Sequence, residues 1–172
     1  MGQGQGVGLA AADFRQALGC FPTGVTVVTC MSADGPIGLT VNSFSALSLE
    51  PPLVLWTLKQ SSPNRALFET AEWFAVNILS ERQQDISVRF ASKVADRFAG
   101  LRWRPGRRGA PLLEGCAACL ECVRVASLEG GDHRIFVGRV EELAKNDRRP
   151  LLFHAGQYRI VGEVLESATM QQ

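Results

Sequence analysis

Residues 38–62, GLTVNSFSALSLEPPLVLWTLKQSS, constrain the fold of this chain more than any other stretch. From 38 to 48, apolar residues alternate with Thr, Asn and Ser, the pattern of a strand with one polar face. After Glu50-Pro51-Pro52 comes LVLWTLK, a continuous apolar run that reads as a strand buried on both faces. Proline has no N–H for a sheet ladder, so Pro51-Pro52 must fall between strands or at an edge. A face carrying Thr40, Asn42 and the neighbouring serines, beside a buried strand, either lines a polar ligand pocket or is a solvated barrel face. Spacing alone favours the solvated face.

The chain has 172 residues, 46% hydrophobic and 20% charged, which suits one domain with a real core. A net charge of +1 gives no reason to expect nucleic acid or an acidic membrane as the main partner. No apolar run approaches the roughly 20 residues that span a bilayer. The start, MGQGQGVGLAAA, lacks the basic segment and apolar run of a signal peptide, so a cytoplasmic location is expected. Five cysteines without a secretion signal argue against a disulfide framework.

Residues 1–12 read as a flexible tail, 13–162 as the domain, and 163–172 as a C-terminal tail. Asp13 is positioned to cap a helix over 13–20, with Phe14, Ala17 and Leu18 at helical spacing. Residues 25–31 read as a strand, and Ala33-Asp34-Gly35-Pro36 as the turn that sends the chain back. Pro63 after two serines predicts a helix over 63–70. Ser61 and Ser62 then stand at a helix N-terminus, which favours an anion or is a simple cap. Residues 73–79 read as a buried strand. Ser80 with Gln83 resembles a capping box opening a helix toward Ala91, with Arg89 near its end.

The segment LRWRPGRRG at 101–109 reads as a solvated loop, because the rest of the chain offers no matching basic surface. Cys116, Cys119 and Cys122 are spaced C-x-x-C-x-x-C, but they open a strand, where Cys119 points away from the other two. No metal site is expected there. EGGDH at 129–133 is a hairpin turn that places His133 at the start of a return strand over 134–140. LLFHAGQYRIVG reads as strand, turn at Gly156, strand. Seven or eight strands, three or so short helices and no β-α-β alternation predict a mainly β, closed or partly closed antiparallel barrel.

Five segments, in order, resemble the flavin reductase-like domain family: FPTGVTVVT (21–29), GLTVNSFSALSLEPPLVL (38–55), RFAS with DRFAG (89–100), GDHRIFVGRV (131–140) and LLFHAGQYRI (151–160). These are the small reductase components of two-component flavin monooxygenases. The resemblance implies an FMN-binding split β-barrel, Greek-key-like and usually a homodimer. It implies reduction of FMN, with FAD possible, by NADH or NADPH, and transfer of reduced flavin to a separate monooxygenase component. It also implies a site. Thr23, Gly24, Thr40, Val41, Asn42, Ser43 and Ser45 would contact the ring and ribityl chain. Lys59, Ser61 and Ser62 would lie at the ribityl and phosphate end, with Arg89 and Phe90 closing over the phosphate. His133 would stand beside the nicotinamide, and His154 and Tyr158 would touch the bound cofactors. Glu50 replaces the family's frequent Asp.

Hydride transfer between nicotinamide and flavin is chemistry the cofactors own, so no catalytic triad is needed and none is visible. A flavin-binding carrier or sensor, or a non-enzymatic interaction domain on the same barrel, is the alternative reading.

Overall fold

β-Branched and apolar runs, punctuated by glycine and proline turns, form twelve strands and three short helices over the described residues. The structure is a computed structural model that describes residues 9–163. Most of the expected N-terminal tail and nearly all of the C-terminal one lie outside the described residues. In order the elements are α1 (Ala11–Gly19), β1 (Thr23–Gly24), β2 (Thr26–Ser32), β3 (Gly35–Val41), β4 (Ser45–Leu49) and β5 (Pro52–Lys59). Then come α2 (Arg65–Thr70), β6 (Trp73–Ile78), α3 (Gln84–Ala91), β7 (Trp103–Pro105), β8 (Pro111–Leu113), β9 (Ala118–Gly130), β10 (His133–Lys145), β11 (Leu151–His154) and β12 (Gln157–Ile160). A seven-stranded sheet runs β3-β2-β6-β9-β10-β5-β4, beside a three-stranded sheet β1-β11-β12 and the two-stranded hairpin β7-β8. Every ladder is antiparallel. The mainly β, antiparallel class is as expected, with the extra strands coming from short pieces.

The alternating run at 38–48 is not one strand. It breaks at Asn42, Ser43 and Phe44, and its halves become opposite edges of the seven-stranded sheet. The cause is local. Ser43 Oγ accepts the Thr57 N–H at 2.9 Å and donates to the Thr57 carbonyl at 3.3 Å, so a side chain takes the place of a ladder partner. The chain leaves β2 at Val41 and reappears paired with β5.

β5 is also not buried on both faces. Val54, Trp56 and Leu58 are buried, while Leu53, Leu55 and Thr57 are half-buried. The inner face carries an aromatic core, with Trp56 stacked on Phe136 at 4.5 Å and edge-on to Phe68 at 5.0 Å. Fully burying each such side chain contributes about 1.5–3 kcal/mol. Gly138 is required here, because a Cβ would lie 2.4 Å from the Phe74 ring. The other face of the sheet is covered over β2, β6 and β9 by a second core that includes Val27, Leu79, Phe90, Leu112 and Leu151. Asn77 fastens this layer, its amide donating to the Val27 and Pro111 carbonyls while its oxygen accepts the Leu113 N–H at 2.8 Å.

The basic segment at 101–109 is not a plain loop, since residues 103–105 pair with β8. Trp103 packs edge-on to Phe98 at 5.7 Å, and the nearly buried Glu121 carboxylate accepts the Arg107 N–H at 2.7 Å. Three of its four arginines are locally occupied: Arg102 with Glu114, Arg107 with Glu142, and Arg108 over the Trp73 ring.

Helix starts differ from expectation in the same way. α1 takes in Ala11 and Ala12, which the sequence placed in the tail, and Asp13 lies in its first turn rather than at its cap. α2 begins at Arg65, after Pro63. Ser80 and Gln83 are bonded, but Gln83 Oε1 accepts from the Ser80 N–H at 3.0 Å while its amide reaches the Glu114 carbonyl, so this is a loop tie and not a reciprocal box. The two later hairpins form where read. Ala155 and Gly156 both have positive φ, as a two-residue turn between twisted strands requires.

Cys119 and Cys122 face opposite cores, as alternation demands, but Cys116 joins Cys119 because it lies in the turn before β9. Burial pushes the Cys30 thiol up to about 12 and, with help from Glu121 and Glu141, the Cys122 thiol likewise to about 12. Both stay protonated at pH 8, and a protonated buried thiol is inert. Only Cys20 is exposed. A disulfide-exchange reagent at pH 8 should therefore titrate one fast thiol in the native protein and five after denaturation. Two or more fast native thiols would contradict this packing.

Candidate functional site

The β5–β10 ladder sets His133 directly opposite Lys59. At that end of the sheet, β3 runs out through Thr40 and Val41 into Asn42 and Ser43. The Ser62-Pro63-Asn64 turn and the C-terminal end of α3, Phe90-Ala91, close the sides. Together with Leu39, Thr57, Leu58 and Arg97 these residues line a cavity of about 440 Å³. That size is ordinary for a cleft that takes a small molecule or cofactor.

Two of the small polar side chains are already committed. Thr40 Oγ1 donates to the Ser87 carbonyl at 2.6 Å, tying β3 to α3, and Ser43 bridges to Thr57 as described. Ser87 Oγ lies 2.8 Å from the Tyr158 hydroxyl, so Tyr158 braces the Thr40 wall from behind and does not line the cavity. These hydroxyls set the walls more than they offer free donors.

Charge comes from longer side chains. Arg97 donates from Nε and Nη2 to the Ser92 carbonyl at 3.1 and 2.6 Å, and from Nη1 to the Gly38 carbonyl at 2.9 Å. A guanidinium has five N–H groups, so the held Arg97 keeps two for a ligand. Lys59 stands exposed on the rim. His133 is part-exposed, with Nδ1 2.8 Å from Asp132 Oδ1. The His133 hydrogen bond, and then its charge, hold the Asp132 carboxyl below the usual carboxylate range.

Of the residues singled out in the sequence, the cavity gathers Thr40, Val41, Asn42, Ser43, Lys59, Ser62, Phe90 and His133. The others stand elsewhere. Thr23 and Gly24 pair with β11 in the small sheet, where the Thr23 hydroxyl is enclosed without a partner among the described residues. His154 lies at the end of β11, Ser45 beyond the break in the alternating run, and Ser61 exposed in the turn. Arg89 lies on an open groove outside α3, donating to the Ala99 carbonyl at 2.7 Å. Nor do the serines form a helix N-terminus. The Ser62, Asn64 and Arg65 N–H groups bond within the turn, to Lys59 O, Ser62 Oγ and Ser62 O. The cations, not a helix dipole, supply the positive charge.

Sequence reasoning missed Leu39, Thr57, Leu58, Pro63, Asn64 and Ala91 as lining residues, and above all Arg97. Arg97 sits inside the DRFAG segment, so its signal was present, but only the path of residues 92–97 back over Gly38 brings it to the cavity.

Residues 18–162 match the flavin reductase like domain. The chain is 45% identical over 148 residues to the reductase subunit HsaB of a flavin-dependent monooxygenase from Mycobacterium tuberculosis, covering 84% of this chain and 79% of that protein. It is 45% identical over 146 residues to the FMN reductase (NADH) SmoA of Agrobacterium fabrum, covering 85% and 83% respectively. The solved structure of the NADH:FAD oxidoreductase SgcE6 of Streptomyces globisporus, in complex with NAD and FAD fragments, superposes with a TM-score of 0.83 at 37% identity, over 91% of this chain and 94% of that one. With the split-barrel topology, the cavity at the Lys59–His133 end of its sheet and a match over nearly the whole described chain, this protein belongs to the flavin reductase like domain family.

Proposed function

We propose that this protein reduces FMN with NADH and supplies the reduced flavin to a separate monooxygenase component. The observation that carries the reading is the convergence of His133, Lys59 and Arg97 on one cavity. The names of the relatives support the choice of reductant and acceptor.

The donor set fits a flavin. Half-buried Leu39, backed by the buried Leu58 and Phe90, offers apolar surface to a flat ring. Asn42, Asn64 and the backbone of residues 40–43 offer polar groups to its edges and its ribityl hydroxyls. Lys59 and the two remaining Arg97 N–H groups suit a phosphate, since charge-assisted bonds to phosphate are the strong ones. A bound flavin supplies the hydride acceptor of the reaction. The chain supplies position. Thr40 and Ser43 are fixed by their own hydrogen bonds, so the walls are set before any ligand arrives. His133, steadied through Nδ1 by Asp132, presents the rest of its ring to the reductant at the cavity mouth. Holding the reacting atoms about 3–3.5 Å apart is the main task left to the protein.

A homodimer belongs to the same reading. On the less covered side of β5 and β10, half-buried Leu55 pairs with buried Val137 and half-buried Thr57 with half-buried Ile135, and Ile135 pairs onward with Leu128, which is 54% exposed. This apolar stripe runs on the same face into Lys59 and His133. A second copy on it would hide the stripe and enclose the cavity mouth. NADH as reductant and free thiols fit a cytoplasmic location.

Anaerobic mixing of the protein with FMN and NADH should bleach the flavin absorbance rapidly. A protein that binds FMN but leaves it oxidised is a carrier or sensor instead, and one that retains no FMN is an interaction domain. His133→Ala should retain FMN yet slow reduction in stopped flow by on the order of a hundredfold, the cost of a misplaced reactant. Reduction at the unmutated rate would remove His133 from the site.

Arg97→Ala should weaken FMN by about ten- to hundredfold, from the roughly 1.5–3 kcal/mol of a charged hydrogen bond. Riboflavin, lacking the phosphate, should change little. Equal losses for both would mean that Arg97 only holds the loop to Gly38.

Sedimentation at micromolar concentration should show a dimer, and Leu55→Glu should shift it toward monomer. A monomeric unmutated protein would sink the proposed interface.

A further inference from the structure

A separate cavity, of about 480 Å³, lies between residues 80–82 and 146–149 and shares no residue with the flavin cavity. Its size is within the roughly 300–1,000 Å³ that small-molecule clefts occupy. Both walls are held by main-chain bonds. The Glu81 N–H donates to the Arg149 carbonyl at 2.9 Å, next to the Ser80–Pro150 bridge. The Asn146 N–H and side-chain amide donate to the Ala117 and Cys116 carbonyls at 2.8 and 2.9 Å. The Arg148 N–H closes the turn on the Asn146 carbonyl at 2.9 Å. The walls are thus set before a ligand arrives, which lowers the cost of ordering them on binding.

Their charge is not balanced. Arg82, Arg148 and Arg149 line the cavity with Glu81 and Asp147. Glu81 is spent on Arg149, with Oε2 3.0 Å from Nε. Arg82 and Arg148 have no ion-pair partner among the described residues, and Asp147 reaches neither of them. We infer that this cavity is a binding site for a small dianion, a phosphate ester or a dicarboxylate, held between the Arg82 and Arg148 guanidiniums. Two like charges on one cleft repel each other until an anion lies between them. A guanidinium fork matches the oxygens of phosphate and carboxylate alike, and such charged hydrogen bonds are the strong ones. The carboxylates of Glu81 and Asp147 in the same lining disfavour an extended polyanion. They accept instead from a hydroxyl or amine carried beside the anionic group.

Phosphate esters and dicarboxylates share this chemistry, so inorganic phosphate and malonate serve as the two probes. Each is titrated calorimetrically into the FMN-saturated protein at constant ionic strength, since bound FMN keeps the probe away from Lys59 and Arg97. One anion should bind per chain, and Arg82→Gln and Arg148→Gln should each weaken it about tenfold or more, the loss of a charged hydrogen bond. Arg104→Gln on β7 removes the same charge from an arginine that also lacks an ion pair but lies outside the cavity, and it should leave the affinity unchanged. Phosphate binding more tightly than malonate assigns the site to phosphate esters, and the reverse order to dicarboxylates. No saturable uptake of either probe overturns the site. So does an equal loss in all three variants, which reports net charge and not a cleft. All three arginines are exposed, and a cooperative melt checks that each variant is folded. A protein that retains no FMN would overturn the flavin reading alone. The comparison among the variants still decides the anion site, because any uptake at Lys59 and Arg97 is common to them all.

Discussion

The β5–β10 ladder is the interaction on which the rest depends. Its seven residue pairs put Trp56 against Phe136 on the inner face and Lys59 against His133 at the end. The first pair anchors the core, and the second opens the cavity. A slip of one residue would exchange the two faces of the strand, exposing Trp56 and burying Leu55 and Thr57. The aromatic packing of Trp56 with Phe68, Phe74 and Phe136 resists that slip, because turning Trp56 to the other face would break all three contacts. Core packing and site geometry are therefore one constraint.

The site divides its labour by side-chain length. Short polar residues near the cavity are consumed by the protein: Thr40 by Ser87, Ser43 by Thr57, and Ser87 in turn by Tyr158. Satisfied in this way they fix walls without a loss of hydrogen bonds when a ligand displaces water. Long cationic residues reach in from a strand end and a loop and hold the charge. Arg97 and Arg89 illustrate the difference. Both are arginines at the C-terminal side of α3, but one turns back over Gly38 and the other bonds Ala99 outside the cavity.

The two faces of the sheet differ for a related reason. α3, the β7-β8 hairpin and β11 are enough to cover one half of it, and Asn77 and Glu121 pin that cover down. The half formed by β10, β5 and β4 has no such layer among the described residues. Its apolar stripe adjoins the mouth of the cavity, so the proposed dimer contact and access to the cavity lie on the same strands.

The sequence by itself determined the class of fold, most strand positions and the two glycine hairpins, because alternation and turn chemistry are local. It also placed His133 at a hairpin exit, but only the family resemblance marked His133 and Lys59 as site residues. The family resemblance supplied the flavin. What only the tertiary structure decided was where strands and loops meet. One alternating run became two opposite sheet edges, since Ser43 found Thr57 fourteen residues away. The helix start at Ser61-Ser62 dissolved into a turn, and Arg97 replaced Arg89 at the cavity. The first and last rest on hydrogen bonds between residues distant in sequence, Ser43 with Thr57 and Arg97 with Gly38, whose free energy no local pattern records.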